Sequence, residues 1–185
     1  MRWSSRPARR TPRFKVQSES ARATTAAEAR FRIAEPNSLP RAVKIVALDA
    51  RSENVVKRLA AQSWRSASFF TASAFANAPH AAGSFSMEGW LSDLTGRTKN
   101  LIDEVASADL MVMIASAGEN AQAAAIIGEA CQLRHVMTTA LVLGADHAAE
   151  EPLAHTLAQL RPYANMLVTA TSEDYIADML TALRA

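Results

Sequence analysis

From Arg41 onward, short apolar runs alternate with amphipathic stretches. Ala42–Leu48 (AVKIVAL) predicts a buried strand. Asp49-Ala50-Arg51-Ser52 is a polar turn. Ser52 is the expected N-cap of a helix over Glu53–Gln62, with Val55, Val56 and Leu59 inward. Ala67–Ala72 predicts a second strand. Residues 73–88, rich in Ala and Ser with Pro79 and Gly83, predict a loop that can hold a short extra strand or turn. Glu88–Ala106 predicts a helix whose apolar set is Trp90, Leu91, Leu94, Leu101, Ile102 and Val105. Asp109–Ser116 (DLMVMIAS) is the strongest buried strand. A turn over Ala117–Asn120 leads to an Ala-rich helix over Ala121–Leu133. Val136–Gly144 predicts a strand, Glu150–Arg161 a helix with Pro152 in its first turn, and Asn165–Ala170 the last strand. Ser172 is the expected cap of a final helix through Leu183, with Asp174 in its first turn.

Strands alternating with helices mean βαβ units and a mainly parallel sheet. Right-handed crossovers put helices on both faces. The expected fold is a three-layer αβα, Rossmann-like sandwich of about five strands, formed by residues 41–185 as one domain. Residues 1–40 are expected to be a flexible arm.

Charge supports that division. Residues 1–41 hold ten Lys and Arg against three acids, whereas residues 42–185 hold ten against fifteen. The arm is basic and poor in large apolar residues, so it cannot build a core. It reads as a solvated tail or a start-site extension, or else as a segment that touches RNA, a membrane surface or an acidic protein; a transit peptide has a similar composition. The body is mildly acidic and carries no DNA-binding motif, which argues against a nucleic-acid face there. No apolar run is long enough for a transmembrane segment. The single cysteine, Cys131, excludes an internal disulfide, and the four histidines have no metal spacing. No apolar export segment follows the arginines, so the expected location is cytoplasmic.

Ligands on such sheets bind at the strand C-terminal ends, where strand order reverses. The polar residues expected there are Asp49, Arg51, Ser52 and Asn54 after the first strand, Thr71 and Ser73 after the second, and Ser116, Gly118, Glu119 and Asn120 after the central one. The last group precedes a helix, so its backbone N–H groups could hold an anion. Glu119 could equally serve the helix dipole itself. The first loop has no glycine, which blocks the usual dinucleotide mode. Asp146 and His147 follow the Gly144 strand end and read as polar loop, with a catalytic role as the alternative. Cys131 reads as a small core residue. No catalytic set can be assembled from these residues, and no metal site.

The order of segments resembles the N-terminal GTPase domain of FtsZ, the bacterial tubulin homologue. Lys44-Ile45-Val46 followed by Asn54–Leu59 is similar to that family's first strand and helix. Ser107–Ala115 is similar to its strand before the phosphate loop, Ala123–Ala130 to the helix after it, and Thr138–Val142 to the next strand. Leu157–Ile176 is similar to the segment near that domain's end. The family's tandem-glycine loop corresponds here to Ala115–Asn120, and its first glycine-rich turn to Asp49–Glu53. The second domain and the N-x-D-x-x-D catalytic loop have no counterpart. The resemblance therefore implies a nucleotide-binding fold with degenerate loops, without GTP hydrolysis by the family's mechanism. Locally, Asp109–Asn120 also resembles the phosphate turn of sugar-isomerase domains, with Ser116 and Gly118 in its frame but Ala117 and Asn120 in place of hydroxyls.

The expected function is a non-catalytic, FtsZ-like protein-interaction or regulatory module with no required cofactor, acting on a protein partner or as a homodimer. The alternative is a protein or enzyme that binds GTP, GDP or another phosphorylated metabolite at the strand ends.

Overall fold

A computed structural model describes residues 40–72, 90–170, 173–183 and 185. The basic arm, Ser73, Ser172 and the loop expected over 73–88 lie outside the described residues. Among those described, seven strands form one sheet. In chain order the elements are β1 (Val43–Ala47), α1 (Ala50–Ala60), β2 (Ala67–Thr71), β3 (Trp90–Asp93), β4 (Thr98–Asn100), α2 (Leu101–Ala106), β5 (Leu110–Ser116), α3 (Ala123–Leu133), β6 (Met137–Leu143), α4 (Glu150–Leu160), a 3₁₀ turn (Arg161–Tyr163), β7 (Met166–Ala170) and α5 (Glu173–Ala182).

The spatial order is β4-β3-β2-β1-β5-β6-β7. The pairs β2·β1, β1·β5, β5·β6 and β6·β7 are parallel, whereas β3 and β4 add an antiparallel edge. The five parallel strands thus run in the order 2-1-3-4-5, a common doubly wound arrangement. The chain steps outward in one direction from β1 to β2 and in the other from β5 to β7. The reversal point lies between β1 and β5. The fold is the expected αβα Rossmann-like class, with seven strands where five were expected.

Both faces of the central strands are buried, which explains why β5 is apolar at nearly every position. Its residues alternate sides nevertheless. Leu110, Val112 and Ile114 join Val43, Ile45 and Ala47 under Val55, Val56 and Leu59 of α1 and Ile176 and Leu180 of α5. Met111, Met113 and Ala115 join Val46 and Leu48 under α2, α3 and α4. Lys44 falls on that second face. Its ammonium donates to Glu104 Oε2 at 2.8 Å and lies 5.8 Å from the Phe70 ring centre, so the buried charge is paired.

Two local expectations are corrected. The helix expected over Glu88–Ala106 is, where described, a β-hairpin followed by the six-residue α2. Turn chemistry overrides the helical spacing. The Asp93 carboxylate accepts from the Thr95 N–H and hydroxyl and from the Arg97 N–H and Nε. Gly96 then takes the left-handed φ of +82° that the turn requires. These bonds, led by the Thr95 hydroxyl, hold the Asp93 carboxyl well below the usual carboxylate range. The second correction concerns α1, which starts at Ala50 rather than Glu53. Asp49, not Ser52, is its N-cap, and Ser52 is the third helical residue of a capping box.

Candidate functional site

The reversal point is closed by Asp49. Its Oδ1 accepts from the Arg51 and Ser52 N–H groups at 2.9 and 2.8 Å, which caps α1. Across the gap, its Oδ2 accepts from the Ser116 N–H at 2.7 Å, and Oδ1 accepts from the Ser116 hydroxyl at 3.0 Å. Asp49, Ser52 and Ser116 are all buried. Ser52 completes the capping box, its hydroxyl accepting from the Asp49 N–H at 3.1 Å. The two strand ends are therefore joined by the protein's own carboxylate, whose oxygens are already engaged.

The loop after β5 is also internally bonded. The Ala117 N–H donates to Leu143 O and the Glu119 N–H to Ser116 O. The Gly118 N–H donates to Thr156 Oγ1 at 3.1 Å, and the Ala121 N–H donates to Gln159 Oε1 at 2.6 Å. Asn120 Oδ1 accepts from the Gln122 N–H and from Gln159 Nε2. Thr156 in turn donates to a carbonyl, Glu119 O lying 3.0 Å away and Pro152 O 3.3 Å. Helix α4 thus holds this loop from one side. Helix α3 begins at Ala123, beyond the loop, so these N–H groups are not its open N-terminus.

Glu119 neither caps α3 nor stands alone in solvent. Its carboxylate lies 3.2 Å from Arg51 Nε, linking the loops after β1 and β5. Beside that pair opens a cleft of about 530 Å³, within the range of small-molecule sites. Arg51, Asn54 and Arg58 line it from α1, Ser116 and Ala117 from the end of β5, and Gly144 and His147 from the loop after β6. Arg51, Asn54 and Arg58 recur at helical spacing and so share one face of α1. Gly144 adopts φ +68° and turns the chain away from β6. None of the described lining residues is acidic.

Of the residues expected at the strand ends, Arg51, Asn54 and Ser116 meet in this cleft. Asp49 and Ser52 are buried in the cap. Glu119 pairs with Arg51, and Asn120 bonds to Gln159 of α4. Thr71 Oγ1 donates to Glu53 Oε2 at 3.0 Å at the end of β2. Arg58 and the cleft-lining role of His147 were not identified from sequence. The signal for Arg58 is its seven-residue spacing from Arg51. The His147 ring is largely exposed and lies 3.2 Å from Asp146.

Burial pushes the Cys131 thiol up to about 12, so it stays protonated in the core at neutral pH. Among the described residues no three His, Cys, Asp or Glu side chains gather as metal ligands, and no helix is long and apolar enough to cross a membrane. No protein-family model matches the chain, and comparison with curated proteins gives no match.

Proposed function

We propose that this chain is a non-catalytic binding domain that takes a small anionic ligand in the cleft at the C-terminal edge of its sheet. The observation that carries this reading is the pairing of two guanidinium groups, Arg51 and Arg58, on one face of α1 over that cleft. Guanidinium is the side chain best suited to carboxylate and phosphate oxygens. The cleft also sits beside the strand reversal, where ligands of doubly wound sheets bind. A nucleotide such as GTP or GDP, the ligand implied by the FtsZ-like resemblance, is one member of this class. A sugar phosphate is another.

The mode differs from a phosphate loop. The N–H groups of Gly118 and Ala121 serve α4, and Asp49 serves Ser116. Anion recognition here rests on side chains rather than on a backbone cradle. Among the described residues, the His147 imidazole lines the cleft beside Asp146 and is largely exposed.

The test is thermal unfolding of the full chain with inorganic phosphate, GDP, GTP and glucose 6-phosphate. A ligand that binds the native state alone raises Tm by mass action. A saturable rise that disappears in the Arg51→Glu/Arg58→Glu double variant is expected. No rise with any of these anions would overturn the reading.

A second reading, a protein-interaction module, is favoured by a different observation. An apolar groove runs between α2 and α3 on the opposite face of the sheet.

A further inference from the structure

The groove between α2 and α3 has a volume of about 330 Å³. Leu101, Ile102 and Val105 line it from α2, and Ile126, Ala130 and Leu133 from α3. Leu133 is 62% exposed, more than any other large apolar residue described. An apolar groove alone says nothing about its occupant. Here the charges beside it do.

Glu129 and Arg134 also line the groove, one acid and one base. Neither side chain is in an ion pair among the described residues. Together with Ile126, Ala130 and Leu133 they form one stripe along α3 and its C-cap, at three- and four-residue spacing.

We propose that a second copy of this chain docks in this groove, with the two α3 helices antiparallel about a two-fold axis. A two-fold interface must be self-complementary, because the same patch serves both copies. The register that sets Glu129 opposite Arg134 of the second copy also sets Arg134 opposite its Glu129. That same register sets the large Leu133 opposite the small Ala130. Charge and size are thus complemented by one alignment. A different protein, or a segment of the same chain, would need neither match. The apolar stripe supplies most of the affinity, and the rim charges select the register.

The test uses the full chain in sedimentation velocity from micromolar to millimolar concentration. The wild type is expected to shift from monomer to dimer as concentration rises. Glu129→Arg alone sets arginines against arginines, and Arg134→Glu alone sets glutamates against glutamates. Each is expected to weaken the dimer about tenfold or more. The double variant Glu129→Arg/Arg134→Glu restores opposite charges and is expected to dimerise like the wild type. Leu133→Asp is expected to be monomeric with unchanged unfolding, since this side chain is exposed in the single protomer. A wild type that stays monomeric throughout would overturn the proposal, as it would if a different partner or another part of the chain filled the groove. So would single charge variants that dimerise as well as the double one. Anion binding in the cleft does not enter either result.

Discussion

The Asp49 carboxylate grips Ser116 twice, through the backbone N–H at 2.7 Å and through the hydroxyl at 3.0 Å. One side chain therefore caps the first helix and ties β1 to β5 at the reversal of strand order. Its removal leaves the buried N–H groups of Ser52 and Ser116, and the part-buried one of Arg51, without that acceptor. Lost capping and unsatisfied donors together predict that Asp49→Ala destabilises the fold by about 3 kcal/mol. Asp49→Asn keeps one carbonyl oxygen and should lose roughly half of that. Urea unfolding measures both. An Ala variant within about 0.5 kcal/mol of wild type would show that this link contributes little.

Glu119 tests the cleft from the opposite direction. Its pairing with Arg51 involves two partly exposed side chains, so it adds little stability. Glu119→Gln should leave the unfolding midpoint unchanged. It should also raise anion affinity several-fold, because a negative charge beside the cleft is removed. Titration calorimetry with the anion that gives the largest thermal shift separates the two effects. Weaker binding in this variant would mean that Glu119 itself holds the ligand.

Gly128 lies where α3 passes the 3₁₀ turn. A Cβ built there would collide with Cβ, Cγ and Cδ1 of Tyr163. In an exposed helix, Gly→Ala is worth about 1 kcal/mol of added stability. Here overpacking, typically about 1–3 kcal/mol, outweighs that gain. Gly128→Ala should therefore lower Tm. A rise would mean that Tyr163 moves aside at small cost.

The Asp93 turn makes a pH-dependent prediction. Its carboxyl is held below the ordinary value of 3.8 in the folded state, chiefly by the Thr95 hydroxyl. The unfolded chain therefore takes up this proton more readily, and the carboxylate's contribution grows with pH. It is fully present above about pH 5 and declines as acidity passes the unfolded value. The stability difference between wild type and Asp93→Ala should be constant from pH 5 to 8 and shrink below pH 4. Urea unfolding across that range checks it. A difference independent of pH would show that the turn does not depend on ionised Asp93.

The layered fold was legible because β5 and β6 announce themselves through apolar runs and the helices through their spacing. The hairpin was missed for a physical reason. Leu91, Leu94, Leu101, Ile102 and Val105 do fit a helical face, yet Asp93-Leu94-Thr95-Gly96 interrupts it with a self-bonded turn. Much of the site's first loop was legible too, but Asp49 and Ser52 exchanged roles. Both can cap a helix, and the start of α1 at Ala50, with the Asp49 carboxylate accepting from the Arg51 and Ser52 N–H groups, decides between them. Arg58 was hidden because an exposed arginine on a helix ordinarily means a solvated face. Its meaning comes from Gly144 and His147, residues far along the chain that the sheet brings beside it.

The grip of α4 on the loop after β5 has a consequence for engineering this edge of the sheet. Grafting glycines into Ala115–Asn120 would loosen the backbone, but the Gly118 and Ala121 amides would still answer to Thr156 and Gln159. A designer seeking a backbone phosphate cradle here would have to rewrite helix and loop together. Changing Thr156 and Gln159 is the first edit rather than the last, and a loop transplanted without them would arrive already occupied.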